Sequence, residues 1–146
     1  MQIRCVRHEA LTVGDLARSV SWYCDVLGFI EQFRESSPER TAAMLTIPGQ
    51  AVRIGLVQFA ARTSEGFDPR PVGLDHLCLL VDSRSELEGW TERLDRHSVE
   101  HSGVREMATG AIINFKDPDG IALALSIPPS VPEPAHQQIH GDRTHD

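Results

Sequence analysis

The chain repeats itself at half its length. His8-Glu9-Ala10-Leu11-Thr12-Val13 and His76-Leu77-Cys78-Leu79-Leu80-Val81 are short apolar stretches, each opened by a histidine and each followed by a helical pattern, 68 residues apart in a chain of 146. Such a period constrains the fold strongly, because each copy must be a supersecondary unit that buries its apolar face against a neighbour. After the first copy, Leu16, Val20, Tyr23 and Leu27 recur at spacings of 4, 3 and 4, forming one apolar helical stripe. Asp15 is placed to accept a free first-turn N–H, and Gly28 to end the helix in the left-handed conformation. After the second copy, Ser83-Arg84-Ser85-Glu86 has the capping-box pattern, and Leu87, Trp90 and Leu94 carry the stripe. Helices are predicted at about Asp15–Leu27 and Ser83–Arg96.

Three short strand candidates follow each helix. They are Phe29–Arg34, Ala42–Ile47 and Val52–Phe59 in the first half, and Val104–Met107, Ala111–Phe115 and Ile121–Ile127 in the second. Pro48-Gly49 and Asp117-Pro118-Asp119-Gly120 supply matching turns before the last strand of each half. Both halves therefore read as strand, helix and three strands. The expected organisation is one α+β domain over residues 1–127, with module one at about 1–60, a linker at about 61–72 and module two at about 73–127. Residues 128–146, with four prolines and three histidines, read as an extended or mobile tail.

Composition narrows the partners. A net charge of −7 without a basic run argues against nucleic acid, whose phosphates need clustered cations. No apolar run approaches the roughly 20 residues that cross a bilayer, and the first residues lack the apolar core of a secretory signal. Cys5, Cys24 and Cys78 are odd in number and form no C-x-x-C pair, as expected of reduced thiols in a cytoplasmic protein.

The pattern HEALTV-x-D-L, then W-Y and L-G-F, then LDHLCLLVD and F-K-D-P-D-G half a chain later, resembles the vicinal oxygen chelate superfamily of glyoxalase I, bleomycin-resistance proteins and extradiol dioxygenases. The resemblance covers roughly Ile3 to Ile127. It implies two βαβββ modules whose curved mixed sheet surrounds a cavity, and commonly a homodimer. It also implies a divalent metal (Zn, Mn, Fe or Ni) held by first-strand residues that match His8 and His76, and by two fourth-strand carboxylates or amides. Those last positions match Gly55 and Ala124, which lie 47 and 48 residues after the two histidines and carry no donor atom. Two imidazoles alone leave an ion under-coordinated and its charge uncompensated, so no cofactor is expected.

The resemblance makes His8, His76, Gly55 and Ala124 ligand-pocket candidates; strand alternation adds Cys78, Arg53 and Val57, and Phe115, just before the Asp117 turn, could edge the cavity or pack in the core. His8 and His76 remain open to three roles: residual metal ligands, polar pocket groups or hydrogen-bonded structural residues. They are expected to face one cavity. Arg53 could pair with a ligand anion or stay in water beyond the rim. Trp22 and Tyr23 are expected to pack, and Asp117 and Asp119 to hydrogen-bond their own turn. His136 and His140 are read as part of the tail, and His97 or His101 as a partner for a helix C-terminus.

Two functions stay in view. One is a binding protein that holds an organic small molecule; the other is a metal-dependent, or metal-free histidine-assisted, lyase, isomerase or dioxygenase. Whether the chain is an enzyme is left open. Because the tail cannot bury much apolar surface, a chain ending at Ile127 is expected to melt at the same temperature as the full chain. A large fall on differential scanning calorimetry would give the tail a structural role.

Overall fold

A computed structural model describes residues 5–61, 70, 73–108 and 110–127. The tail and most of the linker expected from the sequence lie outside the described residues. Module one consists of β1 (Glu9–Thr12), α1 (Leu16–Leu27), β2 (Ile30–Ser36), β3 (Arg40–Thr46) and β4 (Arg53–Phe59). Module two repeats the order with β5 (Leu77–Leu80), α2 (Arg84–Arg96), β6 (Arg105–Met107), β7 (Gly110–Lys116) and β8 (Ala122–Ile127). The expected α+β class and the two βαβββ modules are both present.

The sheets follow one plan. Their orders are β1-β4-β3-β2 and β5-β8-β7-β6, with β1–β4 and β5–β8 parallel and the other pairs antiparallel. The sequence repeat is therefore a repeat in space: Ala10 sits opposite Gly55, and Cys78 opposite Ala124. Among the described residues no strand of one sheet pairs with a strand of the other.

Alternation assigns the faces. Leu11, Ala43, Leu45, Ile54 and Leu56 join Leu16, Val20, Tyr23 and Leu27 of α1 in the core, and Ile113, Phe115, Leu123 and Leu125 join Leu87 and Leu94 of α2. One continuous apolar cluster runs through both modules. The alternate residues, among them Ala10, Ala42, Met44 and Gly55 in module one and Cys78, Leu80, Ala124 and Ser126 in module two, lie on the face turned away from the helices. We call this the open face of each sheet.

The modules are tied by polar contacts. Asp119 Oδ2 accepts from the Gly14 N–H at 3.0 Å and from Ser19 Oγ at 3.3 Å, and Asp119 Oδ1 pairs with Arg18 at 2.6 Å. Asp117 Oδ2 accepts from the buried Tyr23 hydroxyl at 3.2 Å. On the other side, Arg93 Nε and Nη2 donate to the Val26 and Asp25 carbonyls at the C-terminal end of α1, where a cation suits the helix dipole. The Arg93 guanidinium also lies 5.4 Å over the Trp90 ring.

The helix ends are as their residue types dictate, with one exception. Asp15 and Ser83 cap through their side chains onto the Arg18 and Glu86 N–H groups, and Gly28 turns left-handed at φ 78°. The C-terminus of α2 closes through Ser98 N–H to Asp95 O and Val99 N–H to Leu94 O, with Ser98 at φ 55°. A side chain in that conformation costs about 1 kcal/mol relative to glycine. Ser98→Gly is therefore expected to stabilise the protein by about 1 kcal/mol, read as a higher urea midpoint at unchanged slope. An unchanged or lower midpoint would show that the serine hydroxyl offsets the strain.

Candidate functional site

Of the pocket candidates, His8, Gly55 and Val57 line one pocket, His76 and Phe115 another, and Arg53, Cys78 and Ala124 neither. His8 stands just before β1, and with Ala10, Ala42, Met44, Gly55 and Val57 it lines a pocket of about 130 Å³ on the open face of module one. Phe33, Glu35 and Arg40 form its β2–β3 wall. His76 stands just before β5 and lines a different pocket, of about 630 Å³, together with Phe115. Among the described residues, His8 and His76, expected to face one cavity, line these two different pockets.

The floors of the open faces are small. Gly55 and Ala124 are both buried, at the fourth-strand positions that the resemblance gives to carboxylates. A Cβ built on Gly55 would lie 3.6 Å from the Ala10 Cβ, an ordinary contact, so the position tolerates a side chain. Cys78 is exposed on β5, its Sγ 3.1 Å from Ser126 Oγ, and it lines neither of these pockets. Arg53 is exposed at the start of β4 opposite Thr46 and likewise lies outside both.

A metal has little to bind in one chain. Among the described residues no group of three or more His, Cys, Asp or Glu side chains could hold an ion. His76 Nδ1 lies 2.6 Å from Asp75 Oδ1, an exposed pair with no third ligand. The donor set among the described residues does not fit the divalent metal that the resemblance implies.

The larger pocket lies where the modules meet. Trp22 of α1 packs against Phe115, their ring centroids 6.4 Å apart and tilted by 35°. The His97–His101 turn after α2 forms one wall, and Asn114, Lys116, Asp117 and Pro118 form the other. His101 is committed to the fold: Nδ1 accepts from the Gly103 N–H, and Nε2 lies 3.1 Å from Asp95 Oδ1. Sequence reasoning had Phe115 and His76 here but missed Trp22, Lys116 and His97 as a group. Trp22 is off the buried stripe of α1, and Lys116 alternates with Phe115; these signals are visible once the modules are docked.

Asp117 is the most perturbed carboxyl of the site. Burial pushes it above the ordinary carboxylate range, opposed by the Ile121 and Asp119 N–H groups that donate to Oδ1 and by the Tyr23 hydroxyl. Burial, and then the Asp117 charge, hold the Tyr23 phenol far above its usual value. Here two of the sequence expectations hold, since Asp117 bonds its own turn and Tyr23 packs in the core, while Asp119 spends its side chain on the other module.

Comparisons with known proteins agree with this geometry. The sequence family described as glyoxalase/bleomycin resistance protein/dioxygenase superfamily matches residues 6–125. The uncharacterized protein YaeR of Escherichia coli K12 is 31% identical over 84% of this chain and 95% of its own length. A glyoxylase/bleomycin resistance protein/dioxygenase domain from Frankia superposes with a TM-score of 0.82 at 31% identity, covering 87% of this chain and 99% of that one. TnmS3, an antibiotic-binding protein from Streptomyces, has a TM-score of 0.69 at 22% identity, covering 88% of this chain and 98% of that one. A mutant of the fosfomycin resistance protein FosX from Listeria monocytogenes, complexed with Mn(II) and 1S,2S-dihydroxypropylphosphonic acid, has a TM-score of 0.65 at 21% identity over 86% and 90%. The last two likenesses show the fold alone.

The raised Asp117 sets a pH dependence. The folded state holds this proton to higher pH than the unfolded chain, so stability is lost as pH rises from about 4 through the folded-state value. Asp117→Asn keeps an oxygen for the two backbone N–H groups and removes the titration. Urea midpoints between pH 4 and 7 should fall less steeply for the variant than for the wild type. Parallel profiles would mean that the buried carboxyl titrates as it does in the unfolded chain.

Proposed function

Because the chain belongs to the glyoxalase/bleomycin resistance protein/dioxygenase superfamily, we propose that it binds an organic small molecule on the open faces of its modules without a resident metal. The observation that carries this reading is the pair of small floors. Gly55 lines a pocket with Ala10 and Ala42, and Ala124 stands opposite Cys78, so small side chains occupy both positions where the resemblance places carboxylates. His8 and His76 stand at the rims, where neutral imidazoles can donate and accept hydrogen bonds. An antibiotic-binding relative of the same fold supports the choice of a ligand-holding role. The rival reading, a metal-dependent lyase, isomerase or dioxygenase, needs a cluster of ligands, and among the described residues no group of three or more His, Cys, Asp or Glu side chains could hold an ion.

The open faces also call for a second copy. Phe33 on the module-one sheet is 53% exposed, and Leu80 and Met107 on the module-two sheet are 70% and 55% exposed. Apolar surface of this kind is commonly covered by a partner. A homodimer that brings module one of one copy against module two of the other would enclose the ligand and bring His8 toward the second histidine. Among the described residues no helix is long and apolar enough to cross a membrane, and a cytoplasmic setting is part of this proposal.

The test uses untagged, chelator-treated protein. An organic ligand panel that includes bleomycin should contain compounds that raise the melting temperature, whereas equimolar zinc, manganese, iron or nickel should not. Gly55→Phe, which fills the module-one floor, should abolish the ligand shift and leave the unliganded melting temperature nearly unchanged. Tight metal binding by the wild type, lost in His8→Ala, would replace this reading with the enzyme.

A further inference from the structure

The pocket between Trp22 and the His97–His101 turn is not one of the open-face floors: Gly55, Cys78 and Ala124 do not line it. We propose that it is a separate binding site for a planar aromatic molecule bearing an anionic group. At about 630 Å³ it falls within the range of small-molecule sites. It borders the open face of module two, to which its lining residues His76, Asn114, Lys116 and Ala122 belong, and it reaches from there past Phe115 to Trp22.

Its chemistry is divided between floor and rim. Phe115 is 4% exposed, and the half-buried Trp22 rests against it, so the indole is held by packing and its remaining surface borders the pocket. A ring fixed in this way is a stacking platform with little entropy left to lose. Lys116 and His97 stand exposed at the rim, and among the described residues neither has an ion-pair partner. Asn114 and Ser98 add neutral hydrogen-bonding groups.

The acidic groups at the rim are mostly committed. Asp117 Oδ1 accepts two backbone N–H groups and its Oδ2 accepts the Tyr23 hydroxyl. Asp75 and Asp95 face His76 and His101. Glu100 is the carboxylate left on the lining. The Lys116 ammonium is thus the fixed cation that a ligand anion can pair with, opposed by the Glu100 carboxylate, in a chain whose net charge is −7. An anion is drawn to it locally, and the aromatic floor sets the shape of the rest of the molecule.

The site exists only because the modules are docked, since Trp22 comes from one and the remaining lining residues from the other. It shares His76 with the module-two face of the proposed function and is independent of the module-one floor. Nuclear magnetic resonance provides a local probe, because the chain has two tryptophans and Trp90→Phe leaves Trp22 as the only indole. Titration of that variant with naphthalene-2-carboxylate should shift the Trp22 indole N–H saturably. Lys116→Gln should weaken the affinity about threefold to fivefold, the effect of losing one exposed charge contact. The neutral naphthalene-2-methanol should bind more weakly by a similar factor. With the module-one floor filled by Gly55→Phe, the carboxylate should bind unchanged. The proposal is overturned by an indole signal that does not move at millimolar ligand, by equal affinity for the acid and the alcohol, or by loss of the shift in Gly55→Phe.

Discussion

The turn Asp117-Pro118-Asp119-Gly120 holds the molecule together in the plainest sense: two carboxylates of module two satisfy donors of module one. Asp119 takes the N–H that opens the β1–α1 connection, the Ser19 hydroxyl and the Arg18 guanidinium. Asp117 takes the Tyr23 hydroxyl, from a residue with no exposed surface. A buried donor left unpaired costs about 1–3 kcal/mol, so these contacts dictate one docking of the modules and disfavour others. Arg93 fixes the opposite side by donating to the last carbonyls of α1.

From that docking follow both candidate binding regions. With α1 bound to the turn, Trp22 comes to lie on Phe115 and a pocket opens between the modules. With the helices and the inner strand faces packed into one core, both open faces are turned outward. The exposed Phe33, Leu80 and Met107 are the cost of this arrangement in a lone chain. Gly55, Ala10 and Ala124 on those faces carry no side-chain donor, and Gly55 and Ala10 border the module-one pocket.

Much of this was legible before any coordinates. The apolar stripe from Leu16 to Leu27, the Asp15 and Ser83 caps and the Gly28 terminus predicted both helices to within a residue, because caps and periodicity act over one or two turns. The strands shifted by a residue or two at their ends, as β2 did when it ran on to Ser36 instead of stopping at Arg34. Asp119 was read as a local turn residue, and its bonds to Gly14 and Arg18 were not foreseeable, since nothing in a four-residue turn reveals which distant helix it will meet. His8 and His76 were aligned correctly within their own modules, yet they line different pockets.

The sequence by itself determined the unit that is built twice, the helix ends, and the loss of donor atoms at Gly55 and Ala124. All of these depend on residue type, on spacing within one module, or on its repeat. Only the tertiary structure decided which of those units face each other, which histidine shares a pocket with Phe115, and that Trp22 and Lys116 border the same space. The facing of the units and the meeting of Trp22 with Lys116 rest on contacts between residues 94 to 105 positions apart. At such separations local propensity carries no information, and the satisfaction of buried polar groups selects the arrangement.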